Sequence, residues 1–375
     1  MRQKYMEKVN RLVVKIGTRS LLTQKGALDK KKVKKLVGEI ASLYKKFKEI
    51  VLVSSGAIIS GANFLGLAQR PKSIPEKQAV ASVGQIILME TYKCFFQKQG
   101  INIGQVLLTE DDLKHRDRYL NARNTILTLL EYFKVIPVIN ENDVVEIEEI
   151  VFGDNDVLAA LVANLISADL LILLTNTEGF CLYQDGKRNL LDQVDNITAE
   201  MKSCAGDTED GFGTGGMKSK IQAATISTHA GIPCIIANSM TDRVLQKIMD
   251  GEKIGTFFSP TDKAISQRKG WIGYAVAPKG KIVIDSGAKN ALLEQGKSLL
   301  AVGIKKVEGD FKEGDPVDIL DEKNNVIGRG LINYSTSLCE KIIGKKSRDI
   351  EQIVGVQFYP EVIHRDNLVI YKTGD

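Results

Sequence analysis

A chain of 375 residues, 43% hydrophobic and 26% charged, is long enough for two domains and has the balance of an ordinary soluble globular protein. Its formal charge of +5 sums 51 Lys and Arg against 46 Asp and Glu, too even a mixture to argue for a nucleic-acid surface. It has no run of about 18 uncharged apolar residues to cross a membrane, and Met1–Asn10 is charged and lacks the apolar core of a signal peptide.

Short apolar, often β-branched runs predict strands at Arg11–Ile16, Ile50–Val53, Ile103–Leu108, Val135–Ile139, Leu170–Leu174 and Cys234–Ala237. Helical stretches lie between them. Asp29 is placed to cap a helix whose apolar face is Val33, Leu36, Val37, Ile40 and Leu43. Gln78–Gln97, Asn121–Phe133, the small apolar run Val157–Ile166, Met217–Ala230 and Asp242–Met249 also read as helical. Apolar strands alternating with helices predict an α/β fold, a mostly parallel sheet with helices on both faces. From about Lys279 the texture changes. Turn residues break up short strands at Lys281–Ile284, Leu299–Gly303, Pro316–Leu320 and Val326–Leu331, with short helices near Ala288–Glu294 and Ser335–Ile342. The expected division is an α/β domain at residues 1–261, a linker at 262–278 and a small, mainly β domain at 279–375.

Polar residues follow nearly every strand of the first domain: Lys15 and Gly17, Ser54-Ser55-Gly56, Thr109, Asn140-Glu141-Asn142-Asp143, Thr175-Asn176 and Asn238-Ser239. In open parallel sheets these carboxyl ends carry the ligand site, although strand-to-helix loops are often polar in any case. Phe152-Gly153-Asp154-Asn155-Asp156 dresses a helix start in the same way, and capping explains Asn155 and Asp156 as readily as ligand binding does. Asp143 also suits a plain turn before Val144-Val145. Neither G-x-x-x-x-G-K-[ST] nor a G-x-G-x-x-G after the first strand occurs. In their place stands Gly213-Thr214-Gly215-Gly216-Met217-Lys218-Ser219-Lys220, opening a helix. Glycines there let backbone N–H groups approach an anion, and lysines supply point charges for a phosphoryl group. Five scattered cysteines without C-x-x-C spacing (Cys94, Cys181, Cys204, Cys234, Cys339) predict reduced thiols in the cytoplasm. His115, His229 and His364 are too far apart in sequence to suggest zinc, and His229 reads as a helix-terminal residue.

Together Lys15-x-Gly17, Ser54-Ser55-Gly56-Ala57, Asn140–Asp143, Phe152–Asp156 and Gly213–Lys220 resemble the amino acid kinase superfamily, in order and over essentially the whole chain. Asn140–Asp143 and Gly153–Asp156 resemble the branch acting on the side-chain carboxylate of L-glutamate, and the tail resembles a PUA domain. The resemblance implies transfer of the γ-phosphoryl group of ATP, carried with Mg2+, to make L-glutamyl 5-phosphate, the first intermediate of proline synthesis. It assigns Lys15 and Lys220 to the transferring phosphates, Asp156 to holding these lysines, and Ser55, Asp143 and Asn155 to the substrate, with Glu141 a further candidate. It places ATP on Lys15, Thr175, Asn176, Thr214, Gly215, Gly216, Met217, Lys218, Ser219 and Lys220, and names no protein ligand for the metal. Asn176 stands where this family commonly has Asp, which takes a charge from the nucleoside side. The resemblance also implies inhibition by proline near the charged stretch Glu110–Asn124, and a dimer or tetramer formed through the kinase domain.

Other readings stay open. A sister kinase acting on aspartate, N-acetylglutamate or a nucleotide would share the phosphate machinery, and a sensor without turnover would keep the fold. The PUA-like tail admits an RNA-associated role, but its lysines are interleaved with acids and its aromatics (Phe311, Tyr334, Phe358, Tyr359) are few, so nucleic acid is not the expected partner. Ser54-Ser55-Gly56 is no hydrolase elbow, because G-x-S-x-G is absent.

Overall fold

The fold comes from a computed structural model that describes residues 2–371 except 24–25, 48, 68, 70, 115, 146–154, 185–186, 205–215, 262–268, 270–271, 274–275, 346–348, 351–352 and 354–358. The chain divides into two units, Met1–Ala264 and Ile265–Asp375. Among the described residues no helix is long and apolar enough to cross a membrane.

In the first unit the strands are β1 (Arg11–Ile16), β2 (Glu49–Ser54), β3 (Ile103–Leu108), β4 (Ile136–Glu141) and β5 (Leu170–Thr175). They are followed by β6 (Cys181–Gln184), β7 (Lys187–Leu190), β8 (Gln193–Val194), β9 (Cys234–Asn238) and β10 (Thr256–Phe258). One sheet has the order β3-β4-β2-β1-β5-β9-β10-β8, while β6 and β7 pair separately. From β3 to β9 every pairing is parallel, and β10 runs antiparallel to β9. β5 is buried along its whole length, as a strand covered on both faces must be.

Side chains on a strand alternate between faces. Leu12, Val14 and Ile16 of β1 join a core with Val33 and Ile40 of helix Lys30–Phe47 and Tyr92 and Phe96 of helix Ile74–Gln97. Val13 and Lys15 therefore face the opposite side, where helix Asn155–Leu165 packs on β1 and β5 and against helix Met217–His229. Asn155–Leu165 is buried from Asp156 to its end, as an apolar central helix should be. Asp29 caps its helix through Oδ1, which accepts the N–H groups of Lys31 (2.9 Å) and Lys32 (3.3 Å).

The helix expected at Gln78 starts at Ile74 instead. Ser73 and Glu76 form a reciprocal cap, and Pro75 sits in the first turn, where its missing N–H costs no hydrogen bond. The helix expected over Asn121–Phe133 runs Arg116–Leu127 and ends in a wider turn at Thr128–Tyr132. Helix Ala57–Phe64 was not expected. It crosses Ile74–Gln97 so closely that a Cβ on Gly61 would lie 2.0 Å from the Val80 carbonyl oxygen, and one on Gly84 1.8 Å from that of Ala57. Behind the crossing, the hydroxyls of Ser54 and Tyr92 meet at 2.8 Å in a fully buried pair. Tyr92→Phe is expected to cost about 1 kcal/mol, the net value of one such hydrogen bond, read as a lower urea midpoint at unchanged slope.

The second unit holds a sheet of order β12-β11-β13-β14-β15, from β11 (Gly280–Ile284), β12 (Ile304–Gly309), β13 (Pro316–Leu320), β14 (Val326–Leu331) and β15 (Leu368–Ile370). Its core includes Ile282, Leu292, Phe311, Ile319 and Tyr334. The strand expected at Leu299–Gly303 is corrected: Ala301–Gly303 is a tight helical turn, and the strand follows it at Ile304–Gly309. β12 is an edge strand with Lys305, Lys306 and Glu308 exposed, so its sequence reads as a loop, whereas the buried turn before it reads as apolar strand. Of the expected linker 262–278, only Lys269, Ile272, Gly273, Val276, Ala277 and Pro278 are among the described residues. Each unit has a buried thiol, Cys234 at the start of β9 and Cys339 in helix Thr336–Ile342. Burial first, then Glu340, pushes Cys339 up to about 12.

Candidate active site

β1 lies between β2 and β5, with Ile16 level with both Ser54 and Leu174. The chain first moves outward through β2, β3 and β4, then returns to the other side of β1 as β5. At such a reversal the loops beyond the carboxyl ends diverge and leave a crevice.

Lys15 points from β1 towards the start of helix Asn155–Leu165, where Asp156 has no exposed surface. Its Nζ lies 2.5 Å from Asp156 Oδ1, and Nζ of Lys220, from the first turn of Met217–His229, lies 2.8 Å from Oδ2. Lys15 is 3% and Lys220 7% exposed. Buried charges are tolerated when paired, and here one carboxylate holds two ammonium groups, so the three side chains sum to one positive charge. Ser219 Oγ donates to the Gly216 carbonyl (2.9 Å) and lies 3.4 Å from Asp156 Oδ2. Lys218 is exposed, and Met217 and Gly216 are half-buried at the helix start. Residues two apart on a helix point in different directions, which separates Lys218 from Lys220. Burial first, then the negative charge of Asp156, holds the Cys234 thiol well above its usual range.

On the β2 side, the two hydrogens of Asn155 Nδ2 are shared among three acceptors, the Ser54 carbonyl (3.1 Å), Ser55 Oγ (2.8 Å) and Asn140 Oδ1 (2.9 Å). Asn140 Nδ2 donates in turn to Gln85 Oε1 at 2.9 Å. Gly56, at φ 108°, takes a left-handed turn from Ser55 into helix Ala57–Phe64, a conformation that favours glycine. Glu141 ends β4, and Asp143 lies half-buried in the turn after it. On the β5 side, Thr175 is buried; its Oγ1 donates to Asn176 Oδ1 (3.3 Å) and its carbonyl accepts the Ser239 N–H (2.8 Å). Asn176 is exposed, and neighbouring Asn238 donates to Glu178 at 2.6 Å.

The fold thus brings Lys15, Asp156 and Lys220 together, gathers Ser55 with Asn155 on one flank, and sets Thr175 with Asn176 on the other. Thr214, Gly215 and the stretch Phe152–Asp154 lie outside the described residues. Gln85 was not anticipated, and Asn140 was quoted in a motif without a role; a lone amide inside the apolar stretch Val80–Met89 is the only mark Gln85 leaves in the sequence.

Cations held at the centre, with uncharged hydrogen-bonding groups on both flanks, suit the passage of an anionic group between two bound molecules; the class so defined is a phosphotransferase. Comparison with known proteins by sequence agrees. Residues 10–238 match the amino acid kinase family and residues 280–354 the PUA domain. The glutamate 5-kinase of Thermoanaerobacter sp. (strain X514) is 47% identical over 370 residues, covering 97% of this chain and 99% of the relative. That of Dictyoglomus turgidum is 46% identical over 376 residues, covering 99% and 100%. A solved carbamate kinase from Giardia lamblia bound to AMP-PNP is 18% identical with a TM-score of 0.46, covering 68% of this chain and 99% of its own. The chain belongs to the amino acid kinase family and, within it, to the glutamate 5-kinases, with a PUA domain at residues 280–354.

Proposed function

We propose that this chain transfers the γ-phosphoryl group of ATP to the side-chain carboxylate of L-glutamate, giving L-glutamyl 5-phosphate and ADP. The observation that carries this reading is Asp156, fully buried and gripping Lys15 and Lys220. An oxygen of the glutamate carboxylate attacks the γ-phosphorus in line as its bond to the bridging oxygen breaks, and ADP leaves with that electron pair. The attacking group is already ionised at neutral pH, so no general base is needed. Lys15 and Lys220 stabilise the charge on the moving phosphoryl group, and Asp156 keeps both aimed at it.

Asn155, Ser55 and Asp143 take the amino acid, with Asp143 suited to the ammonium group and Ser55 with the N–H groups of Gly56 and Ala57 suited to a carboxylate. Thr175, Asn176 and the run Thr214–Lys220 take ATP. When bound with ATP, Mg2+ would be held by the phosphates and would supply neutralisation of their charge. Both oxygens of Asp156 are engaged by lysines, and among the described residues no group of three acids, histidines or cysteines is placed to hold a metal. Residues 1–261 form the catalytic domain, 262–278 the linker and 279–375 the PUA-like domain. The product is the first intermediate towards proline, proline acts as feedback inhibitor, and the enzyme works in the cytoplasm as a dimer or tetramer.

The test is ADP release with Mg-ATP and L-glutamate, L-aspartate or N-acetyl-L-glutamate. Lys220→Met is expected to lower glutamate-dependent turnover by about a hundredfold or more, the usual cost of removing a charge-stabilising group. Lys218→Met, on the exposed side of the helix, is expected to cost less than about tenfold. Turnover with another acceptor alone would move the protein to a sister specificity.

A further inference from the structure

We propose that Gln85 is a positioning residue of the acceptor pocket, acting through Asn140 to fix how Asn155 presents its amide; this rests on reading the Ser55–Asn155 flank as the acceptor side. Gln85 lies outside every motif, on helix Ile74–Gln97. The argument is one of donors and acceptors.

An amide side chain carries a donor at one end and an acceptor at the other. The Ser54 backbone carbonyl can only accept, so the Asn155 atom 3.1 Å from it is the nitrogen. That nitrogen also donates to Asn140, which must meet it with Oδ1, at 2.9 Å. Asn140 then directs Nδ2 the other way and needs an acceptor there, which Gln85 Oε1 supplies at 2.9 Å. Each link allows one orientation, so three amides from two helices and a strand share a single polarity. The result is that Asn155 Oδ1 stands as a buried acceptor with no partner among the described residues. An open carbonyl at that place suits the ammonium group of an amino acid.

Asn140 is 2% exposed, so water is a poor substitute for Gln85. Without Oε1 its amide nitrogen is a stranded buried donor, and turning the amide over would set that nitrogen against the nitrogen of Asn155. Either response disturbs the pocket that takes the amino acid, on the β2 side of β1, and spares the β5 side.

The experiment compares steady-state kinetics and thermal melting of the full-length wild type, Gln85→Met and Gln85→Glu. Methionine keeps the length and removes both amide atoms; glutamate keeps an acceptor for Asn140. Gln85→Met is expected to raise KM for the amino acid about tenfold, about 1.4 kcal/mol, with KM for ATP within about twofold. Gln85→Glu is expected to stay within about threefold of the wild type for both. The proposal is overturned if Gln85→Met leaves the amino-acid KM unchanged, if both variants lose equally, or if KM for ATP rises in step. A wild type that uses aspartate or N-acetylglutamate would refute the glutamate assignment alone, and the relay is then judged by the same comparison on that acceptor. A wild type that binds no amino acid by calorimetry overturns both.

Discussion

Replacing Asp156 with Asn is expected to lower turnover by about a thousandfold while the protein still binds ATP. The carboxylate is completely buried and meets both lysines within 2.8 Å. Asn keeps the shape and one acceptor but leaves two ammonium groups facing each other in a site with little water. Breaking a buried ion pair by removing one partner costs about 3–5 kcal/mol, because the remaining charge is uncompensated. For a unit of this size that is a fall in melting temperature of roughly 6–10 °C. Binding should respond differently from turnover: losing a negative charge makes the site a stronger attractor for a polyphosphate, yet the lysines no longer have the anchor that aims them. Calorimetric titration with ATP, set beside kcat and a melting curve, separates these effects. ATP binding lost in step with turnover would mean that Asp156 shapes the nucleotide site itself. Unchanged melting and turnover would mean that the lysines keep their places without it.

Gly84→Ala is expected to be the most damaging single methyl group in the first unit. Its Cβ would stand 1.8 Å from the Ala57 carbonyl oxygen and 2.4 Å from the Gly61 nitrogen, both backbone atoms that cannot rotate away. The two helices must part by more than about 1 Å, and overpacking of this kind costs about 3 kcal/mol or more. The shift is transmitted directly to the pocket, because Ser55 and Gly56 lead into one helix and Gln85 follows Gly84 on the other. A lowered denaturation midpoint together with a raised KM for the amino acid is the expected pair of results. Gly38→Ala provides the control. Gly38 lies inside helix Lys30–Phe47 with open space at its Cβ position, so alanine there should stabilise by about 0.5–1 kcal/mol. A Gly84→Ala protein as stable as the Gly38→Ala protein would mean that the crossing is looser than described.

The strand ends were legible because a parallel sheet buried on both faces demands apolar strands, against which Lys15, Ser54, Asn140 and Thr175 stand out as they emerge. The grouping of Lys15, Asp156 and Lys220 came from the resemblance, since nothing local to any of them names the other two. What escaped did so for physical reasons. Helix Ala57–Phe64 is short and carries the glycine that its close crossing requires, which reads as a loop. β12 has the charges of an exposed edge and so reads as a turn, while the buried turn before it reads as a strand. The start of helix Ile74–Gln97 was hidden by Pro75, a residue that breaks helices everywhere except in their first turn. Gln85 escaped because its importance lies in an orientation passed through Asn140, which only tertiary contact reveals.

The two buried thiols turn the molecule into its own stopwatch. Alkylation needs the thiolate, and both Cys234 and Cys339 are shielded and held above their ordinary pKa while their units are closed. Cys234 sits in the sheet that carries Lys15, and Cys339 belongs to the core of the other unit. Each becomes reactive when the structure around it opens. The order in which a thiol reagent marks them under mild denaturant therefore records which unit gives way first. The gap between the two labelling times, with and without ATP, measures how much of the ligand's stabilisation stays in the unit that binds it.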